Sequence, residues 1–221
     1  MSLHFAVFYG SVRSQRQGIK HARFLNAQLA ARGHQVSFVD PLEYRLPLLD
    51  KMHKEYPAGA APDPLPKLAE IIRSADGFMI VSGEYNHSIP PALKNLLDHF
   101  LEEWFWRPSA IACYSAGAFG GVRAAMQLRA TLAELGMPSI PSIHPMPNVQ
   151  DQFDDDGKPL HYRGVVESEP GLYFLGLVYQ YSFSSDVLPG RSRDAHYIAK
   201  HIAARPREAA ATELEEAFAT A

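Results

Sequence analysis

The stretch that decides the fold is FAVFYGSVRSQRQGIKHARFLNAQLAARG, residues 5–33. Its first part, residues 5–9, is a continuous apolar run, which is typical of a strand buried on both faces. A polar loop follows over residues 10–18. Apolar residues then recur at the spacing of one helix face up to Arg32, namely Ile19, Ala22, Leu25 and Leu29. Gly33 ends this predicted helix.

The same alternation of strand and helix continues along the chain. Further apolar runs predict strands over residues 35–39, 77–81, 109–114 and 139–143. Helical periodicity lies between them, over residues 66–74, 90–101 and 121–135. The proline-rich stretch 41–66 has no clear period, so we expect a loop there. The pattern predicts an α/β fold with a five-stranded parallel sheet and helices on both faces.

Composition narrows the classes of function. The chain has 221 residues and a formal net charge of −3, so we expect no nucleic-acid partner, since such surfaces usually carry a basic excess. Cys113 is the single cysteine, which excludes an intramolecular disulfide and a cysteine-rich zinc site. No apolar run reaches the ~20 residues that cross a bilayer, and the first residues lack a secretory signal. We therefore expect a cytoplasmic protein with no membrane partner.

Ligands of open parallel sheets bind outside the carboxyl ends of the strands, which draws attention to the loops 10–18, 82–90 and 115–121. The first loop, GSVRSQRQG, offers hydroxyls, two arginines and the start of a helix, a combination that suits a phosphate. Taken alone, it is more typical of a solvated loop that caps a helix.

The other two loops suit a planar ligand. The second, GEYNHSIPP, carries Tyr85 among amide, hydroxyl and carboxylate groups, although it also fits a proline-rich turn into a helix. The third, SAGAFGG, is glycine-rich, so its backbone can approach a ligand closely or simply make a tight turn. A serine nucleophile at Ser115 is disfavoured, because the nucleophile elbow needs glycine where this chain has Cys113.

Three motifs together resemble the NADPH-dependent FMN reductase family of flavodoxin-like fold, over about residues 5–158. They are G-S-V-R after the first strand, E-Y-N-x-S-x-P-x-x-L-K-N after the third and S-x-G-x-x-G-G after the fourth. The family usually reads P-E-Y-N, whereas this chain has Gly83, which would loosen the loop before the tyrosine.

The resemblance implies a set of FMN-binding residues. Those at the phosphate are Ser11, Arg13, Arg16 and Gly18; those against the isoalloxazine are Glu84, Tyr85 and Asn86; those at the polar edge of the ring are Ser115, Gly117 and Gly120. It implies no catalytic side chain, because the flavin carries the chemistry.

The resemblance also implies an FMN-dependent NAD(P)H oxidoreductase, with NADPH as co-substrate and a homodimer or homotetramer as the assembly. The acceptor would be a quinone, an azo compound, a metal oxyanion or free flavin. Two alternatives remain: a flavodoxin-like electron carrier, and a non-catalytic binding module with a disabled flavin site.

The C-terminal part departs from that family. Residues 170–205 resemble the C-terminal end of FAD-dependent pyridine-nucleotide monooxygenases, with a predicted strand over 172–178 and an amphipathic helix ending near Pro206. We expect a flavodoxin-like domain over 1–158, an extension over 159–205 packed on it, and a frayed helical tail over 206–221. A recombination joint followed by a poorly ordered tail is the alternative for the segment after residue 158.

Aromatic, histidine, acidic and cysteine residues outside the three loops give further expectations. Trp104, Phe105 and Trp106 are expected at a subunit interface, with core packing as the alternative. His196 and His201 are off the spacing of one helix face, and residues 154–157 lack flanking calcium ligands, so we expect no metal. Cys113 lies within an apolar strand and is predicted to be inert.

Overall fold

A computed structural model describes residues 2–154, 157–167, 171–175 and 188–204, with the backbone alone for 188–191. Contacts divide the chain into two units, Met1–Lys158 and Pro159–Ala221.

The first unit contains a five-stranded sheet in which all neighbouring strands run parallel. Its strands are β1 His4–Tyr9, β2 Gln35–Val39, β3 Gly77–Gly83, β4 Ser109–Tyr114 and β5 Ser139–Met146. The spatial order is β2-β1-β3-β4-β5, so the direction of chain progression reverses between β1 and β3. This confirms the predicted sheet and places a topological switch point beside the loop that follows β1.

Four α-helices connect these strands: α1 Gly18–Ala31, α2 Leu65–Ser74, α3 Pro91–Asp98 and α4 Val122–Glu134. Short 3₁₀ turns occur at His53–Glu55, Glu102–Trp104 and Val149–Asp151. The predicted helix 90–101 is therefore too long. It ends at Asp98, and the residues after it form the turn that contains Trp104.

The core lies on both sides of the sheet. Successive residues of β1 point to opposite sides: Phe8 belongs to one buried cluster, whereas Val7 and Tyr9 belong to the other. The Phe8 cluster includes the inner faces of α2, α3 and α4, and the Tyr9 cluster includes α1. The prediction of helices on both faces is confirmed.

Trp104 packs in the core, so the expectation that it lies at an interface is wrong. Its side chain is fully buried and meets Phe8 and Phe78 edge to face, with both centroid distances at 5.2 Å. Trp106 differs, because it is 86% exposed and has a φ of +65°. The two tryptophans separate because the chain turns here instead of continuing as a helix.

Cys113 is fully buried in β4, where burial raises the pKa of its thiol to about 12. A thiol that stays protonated at neutral pH is a poor nucleophile. This agrees with the prediction that Cys113 is inert.

The second unit contains a turn and a helix. Tyr162 and Val165 exchange backbone hydrogen bonds of 2.8 and 2.9 Å, and Val165 also forms a bridge with Tyr173. The helix α5 spans Leu188–Ala204, in agreement with the helix predicted there. The predicted strand 172–178 lies partly, and the predicted tail 206–221 wholly, outside the described residues.

Within the described ranges, no helix combines the length and the apolar character that crossing a membrane requires. The same ranges hold no group of three or more His, Cys, Asp or Glu side chains arranged to bind a metal ion.

Candidate functional site

The start of α1 is open to an anion. Gln17 precedes the helix without a side-chain cap, and the first turn carries no acidic residue. The N–H groups of a first helical turn have no partner inside the helix, and the helix dipole favours negative charge beside them. On the loop that leads into this helix, Ser11 is buried and Arg13 is exposed. These features fit a phosphate group.

The guanidinium of Arg16 is paired with Asp40, which follows β2. Its two terminal nitrogens donate to the two carboxylate oxygens at 2.5 and 2.6 Å, and its carbon lies 5.4 Å from the centre of the Tyr9 ring. Burial would raise the pKa of Asp40, but the hydrogen bonds from Arg16 and from Leu42 N–H outweigh it and lower the pKa. Arg16 therefore fixes the loop through Asp40, and Arg13 is the more accessible cation.

One side-chain hydrogen bond joins the first loop to the second. The hydroxyls of Ser11 and Tyr85 lie 2.7 Å apart. Tyr85 and Ser88 exchange two backbone hydrogen bonds of 3.0 Å, and the two residues between them, Asn86 and His87, have φ values of +49° and +64°. A two-residue turn with both central φ values positive is a tight type I′ hairpin, a conformation that asparagine tolerates well. The E-Y-N loop is thus folded on itself beside the loop that follows β1.

Glu84 is engaged with the start of α4. Its carboxylate accepts hydrogen bonds from the backbone N–H groups of Arg123 and Ala124 at 3.1 and 3.2 Å, and from the Arg123 side chain at 2.9 Å. Gln127, one turn further along α4, donates to the carbonyl of His87 and accepts from the hydroxyl of Ser88, both at 2.7 Å. The helix α4 therefore holds the whole E-Y-N loop in place.

The third loop is shaped by its glycines. Gly120 and Gly121 have φ values of +61° and +84°, which glycine adopts without strain. Ser115 donates its hydroxyl to the carbonyl of Gly117 at 2.7 Å. A Cβ at Gly117 would meet nothing within 4 Å, so the outer side of this loop is open.

The ten residues predicted to bind FMN fall into three groups at the carboxyl edge of the sheet. Ser11 and Tyr85 are in direct contact, whereas the partner of Glu84 lies on α4 and that of Arg16 directly follows β2. Gly18 begins α1, and its Cα lies tight against Tyr114. The Ser115 loop is joined to the second loop through Arg123, whose guanidinium lies 4.5 Å from the centre of the Phe119 ring and pairs with Glu84.

Asp40, Arg123, Gln127 and Tyr114 take part in the site but were not expected from the sequence. Asp40 could have been found, because it directly follows a predicted strand at the edge where ligands bind. Arg123 and Gln127 lie on a helix after the third loop, and no local pattern shows that they reach the second loop. Tyr114 reads simply as the last residue of an apolar strand.

Chemically, the arrangement can hold an anion at α1 and place an aromatic side chain and backbone groups beside it. Its carboxylates, Asp40 and Glu84, are both in ion pairs, and its hydroxyls bond to one another or to carbonyls. Such a site suits a cofactor that brings its own reactive group.

Comparison with known proteins agrees with this description. The family model of NADPH-dependent FMN reductases matches residues 3–151. A quinone reductase of Pseudomonas putida is 32% identical over 160 residues, covering 69% of this chain and 82% of the relative. A 2-hydroxy-1,4-benzoquinone reductase of Burkholderia sp. is 36% identical over 141 residues, covering 61% of this chain and 73% of the relative.

Among solved structures, FerB, a flavoenzyme NAD(P)H:(acceptor) oxidoreductase from Paracoccus denitrificans, matches with a TM-score of 0.58 and 23% identity. The match covers 71% of this chain and 86% of FerB, and at this identity it concerns the fold. Since the family model spans more than half of the sequence and the P. putida relative is matched over most of its length, the chain belongs to the NADPH-dependent FMN reductase family.

Proposed function

We propose that this protein binds FMN and is an NAD(P)H-dependent oxidoreductase that reduces a small acceptor. The observation that carries the proposal is the uncapped start of α1 next to the Ser11–Tyr85 hydrogen bond. Tyr85 thus bonds directly to the loop that leads into the uncapped helix start. FMN needs that combination, because it joins a phosphate to a planar ring.

The proposed roles follow the three loops. Ser11, Arg13 and the first N–H groups of α1, from Gly18 on, bind the phosphate, and Arg16 keeps the loop in place beside it. Tyr85 and Asn86 lie along the ring, held there by Glu84. Ser115, Gly117 and Gly120 present backbone and hydroxyl groups to its polar edge.

When bound, FMN supplies the redox chemistry, taking two electrons from the reduced nicotinamide and giving them to the acceptor. The protein's part is to bind and orient. Asp40 and Glu84 are both in ion pairs, and we propose no catalytic side chain, because the flavin carries the chemistry.

A quinone is the acceptor class we propose first. The two relatives named above are a quinone reductase and a benzoquinone reductase, matched over 82% and 73% of their lengths. Azo compounds, metal oxyanions and free flavin are the competing classes. Steady-state rates with a benzoquinone, an azo dye, chromate and free FMN, each at saturating NADPH, rank the four. A benzoquinone rate below the others would overturn this choice.

The function itself is tested by a visible spectrum. The protein is mixed with FMN, desalted and scanned, then scanned again after NADPH is added under argon. Flavin bands that stay with the protein and bleach with NADPH support the reductase. Bands that stay but do not bleach with NADPH or NADH favour an electron carrier, and loss of all flavin favours a non-catalytic module.

We also propose a homodimer or homotetramer in the cytoplasm. Leu48 and Trp106 are each 86% exposed, and large exposed apolar side chains favour association. Light scattering after size exclusion tests this, and a monomer at micromolar concentration would contradict it.

The monooxygenase-like character of residues 170–205, and the packing of 159–205 on the first domain, stay predictions. Limited proteolysis that removes everything past Lys158 without lowering the melting temperature would contradict that packing.

A further inference from the structure

Tyr114, the last residue of β4, occupies space that two glycines leave free. A Cβ on Gly18 would lie 2.1 Å from Tyr114 Cζ, and a Cβ on Gly83 would lie 3.0 Å from both Cζ and Oη. The first distance is impossible for real atoms, and the second is tighter than ordinary contact. Because Gly18 begins α1 and Gly83 ends β3, one aromatic ring packs against the start of the phosphate loop's helix and against the strand that leads into Glu84.

The hydroxyl of Tyr114 reaches a third element. It donates to the hydroxyl of Tyr9 at 3.1 Å, at the end of β1. Burial raises the pKa of both phenols, and the nearby Ser11 hydroxyl offsets part of that rise. Ser11 in turn contacts Tyr85. The hydroxyls of Tyr114, Tyr9, Ser11 and Tyr85 therefore lie close to one another, at the ends of β1 and β4 and in the loops that follow β1 and β3.

We propose that Tyr114 is a positioning residue of the flavin site: its ring holds the start of α1 against the end of β3, and its hydroxyl, together with that of Tyr9, orients Ser11 toward the ligand phosphate. The inference rests on the proposed FMN function. It deepens that function by assigning the phosphate end of the site to a residue outside the three loops.

This arrangement explains why a glycine stands at position 83. Its φ is not in the positive region, so its backbone would accept a side chain, and the ring of Tyr114 is what excludes one. The loop after it is not loosened, because Glu84 N–H donates to the carbonyl of Tyr114 at 3.1 Å. The departure from the P-E-Y-N pattern and the presence of Tyr114 are thus one coupled feature.

The first test removes the hydroxyl alone. Fluorescence titrations give the affinity of Tyr114→Phe for FMN and for riboflavin, which lacks the phosphate, together with the melting temperature of the apoprotein. We expect the Kd for FMN to rise about fivefold to tenfold, the contribution of one hydrogen-bonded network, with riboflavin within about twofold of wild type. Tyr56→Phe, at a half-buried tyrosine in the 41–66 loop, is the matched control. It should change neither the affinity for FMN nor the affinity for riboflavin.

A purely structural role of Tyr114 would weaken the binding of both ligands equally. That result overturns the assignment, and so does an unchanged affinity for both ligands. A wild-type protein that binds no FMN overturns the proposed function instead, so the two failures are distinguishable.

The second test measures the coupling between ring and glycine. Gly83→Ala in the wild type should weaken FMN binding about tenfold, because its Cβ meets the ring. In a Tyr114→Ala background the same change should cost less than about twofold, since the ring is gone. Losses that simply multiply across the double mutant would show that Gly83 and Tyr114 act independently and would overturn the coupling. Where Tyr114→Ala does not fold, the phenylalanine variant still decides the proposal.

Discussion

Arg16 and Asp40 form a two-pronged ion pair that ties the loop after β1 to the end of β2. Both hydrogen bonds are short, at 2.5 and 2.6 Å, and the side chains are only 14% and 3% exposed. Parallel N–H···O bonds of this kind fix geometry as well as charge. Since these two strands meet the ligand edge of the sheet side by side, the pair sets the position of the loop before any ligand arrives.

Breaking this pair should destabilise the protein itself. Asp40→Asn leaves the Arg16 charge largely buried and unbalanced, so the free energy of unfolding should fall by about 2–3 kcal/mol in urea titrations of the apoprotein. Asp98→Asn removes the partner of Lys94 in an exposed pair on α3 and should cost at most about 0.5 kcal/mol. Equal losses in the two variants would mean that the buried pair has no special role.

Arg13 should act on the ligand and not on the fold. Its side chain is exposed, and no ion pair is found for it within the described residues. Arg13→Gln should weaken the binding of FMN about tenfold, because one charge-assisted hydrogen bond is lost. The affinity for riboflavin and the melting temperature should stay unchanged. Arg32→Gln, at the opposite end of α1, is the matched control. An unchanged FMN affinity would remove Arg13 from the phosphate site.

Replacing Glu84 should weaken the binding of both ligands, whereas replacing Arg13 should affect FMN alone. Glu84→Gln loses the ion pair with Arg123 and part of the cap on α4, so the E-Y-N loop loses its anchor. Because Arg123 is 40% exposed, the loss of stability should be only about 1–2 kcal/mol. Binding of FMN and riboflavin should weaken together, since both carry the ring. Glu134→Gln, exposed on the last turn of the same helix, should affect neither. A loss confined to FMN would contradict this role.

The sequence predicts the sheet well because each strand is recognisable from its own run of apolar residues. Runs such as Val7–Phe8–Tyr9 are apolar on both faces, and a parallel strand order follows from their alternation with helices. The predicted end of α3 and the predicted interface position of Trp104 are both wrong, because a 3₁₀ turn and the apolar end of a helix have similar compositions. The pairs Arg16–Asp40, Glu84–Arg123 and Tyr114–Gly83 join residues 24 to 39 positions apart, and no local period encodes such contacts.

His21, on the inner face of α1, should make the fold sensitive to acid. Its side chain is fully buried, both ring nitrogens lack hydrogen-bond partners, and the ring of His144 lies 5.1 Å away. Burial, with a smaller contribution from His144, lowers the pKa of His21 from 6.5 to about 3.

The direction in which stability changes with pH follows from the lowered pKa of His21. The unfolded chain binds a proton on this histidine near pH 6.5 and the folded protein does not until far lower pH, so stability is complete above pH 6.5 and falls as the pH drops below it. By pH 5 the loss from this group alone should be about 2 kcal/mol.

Urea titrations of the apoprotein between pH 5 and pH 8 measure that slope. His21→Leu should make the slope shallower, because that titrating group is gone while the site stays apolar, and His144, whose pKa burial also lowers, should keep its own share of the slope. Ala22→Gly supplies the matched control: it weakens the same helix face by about 1 kcal/mol and should keep the wild-type slope, since it removes no titratable group. If His21→Leu retains the full slope, the acid sensitivity belongs to other groups, and the buried ring of His21 is a packing element without influence on the pH range of the fold.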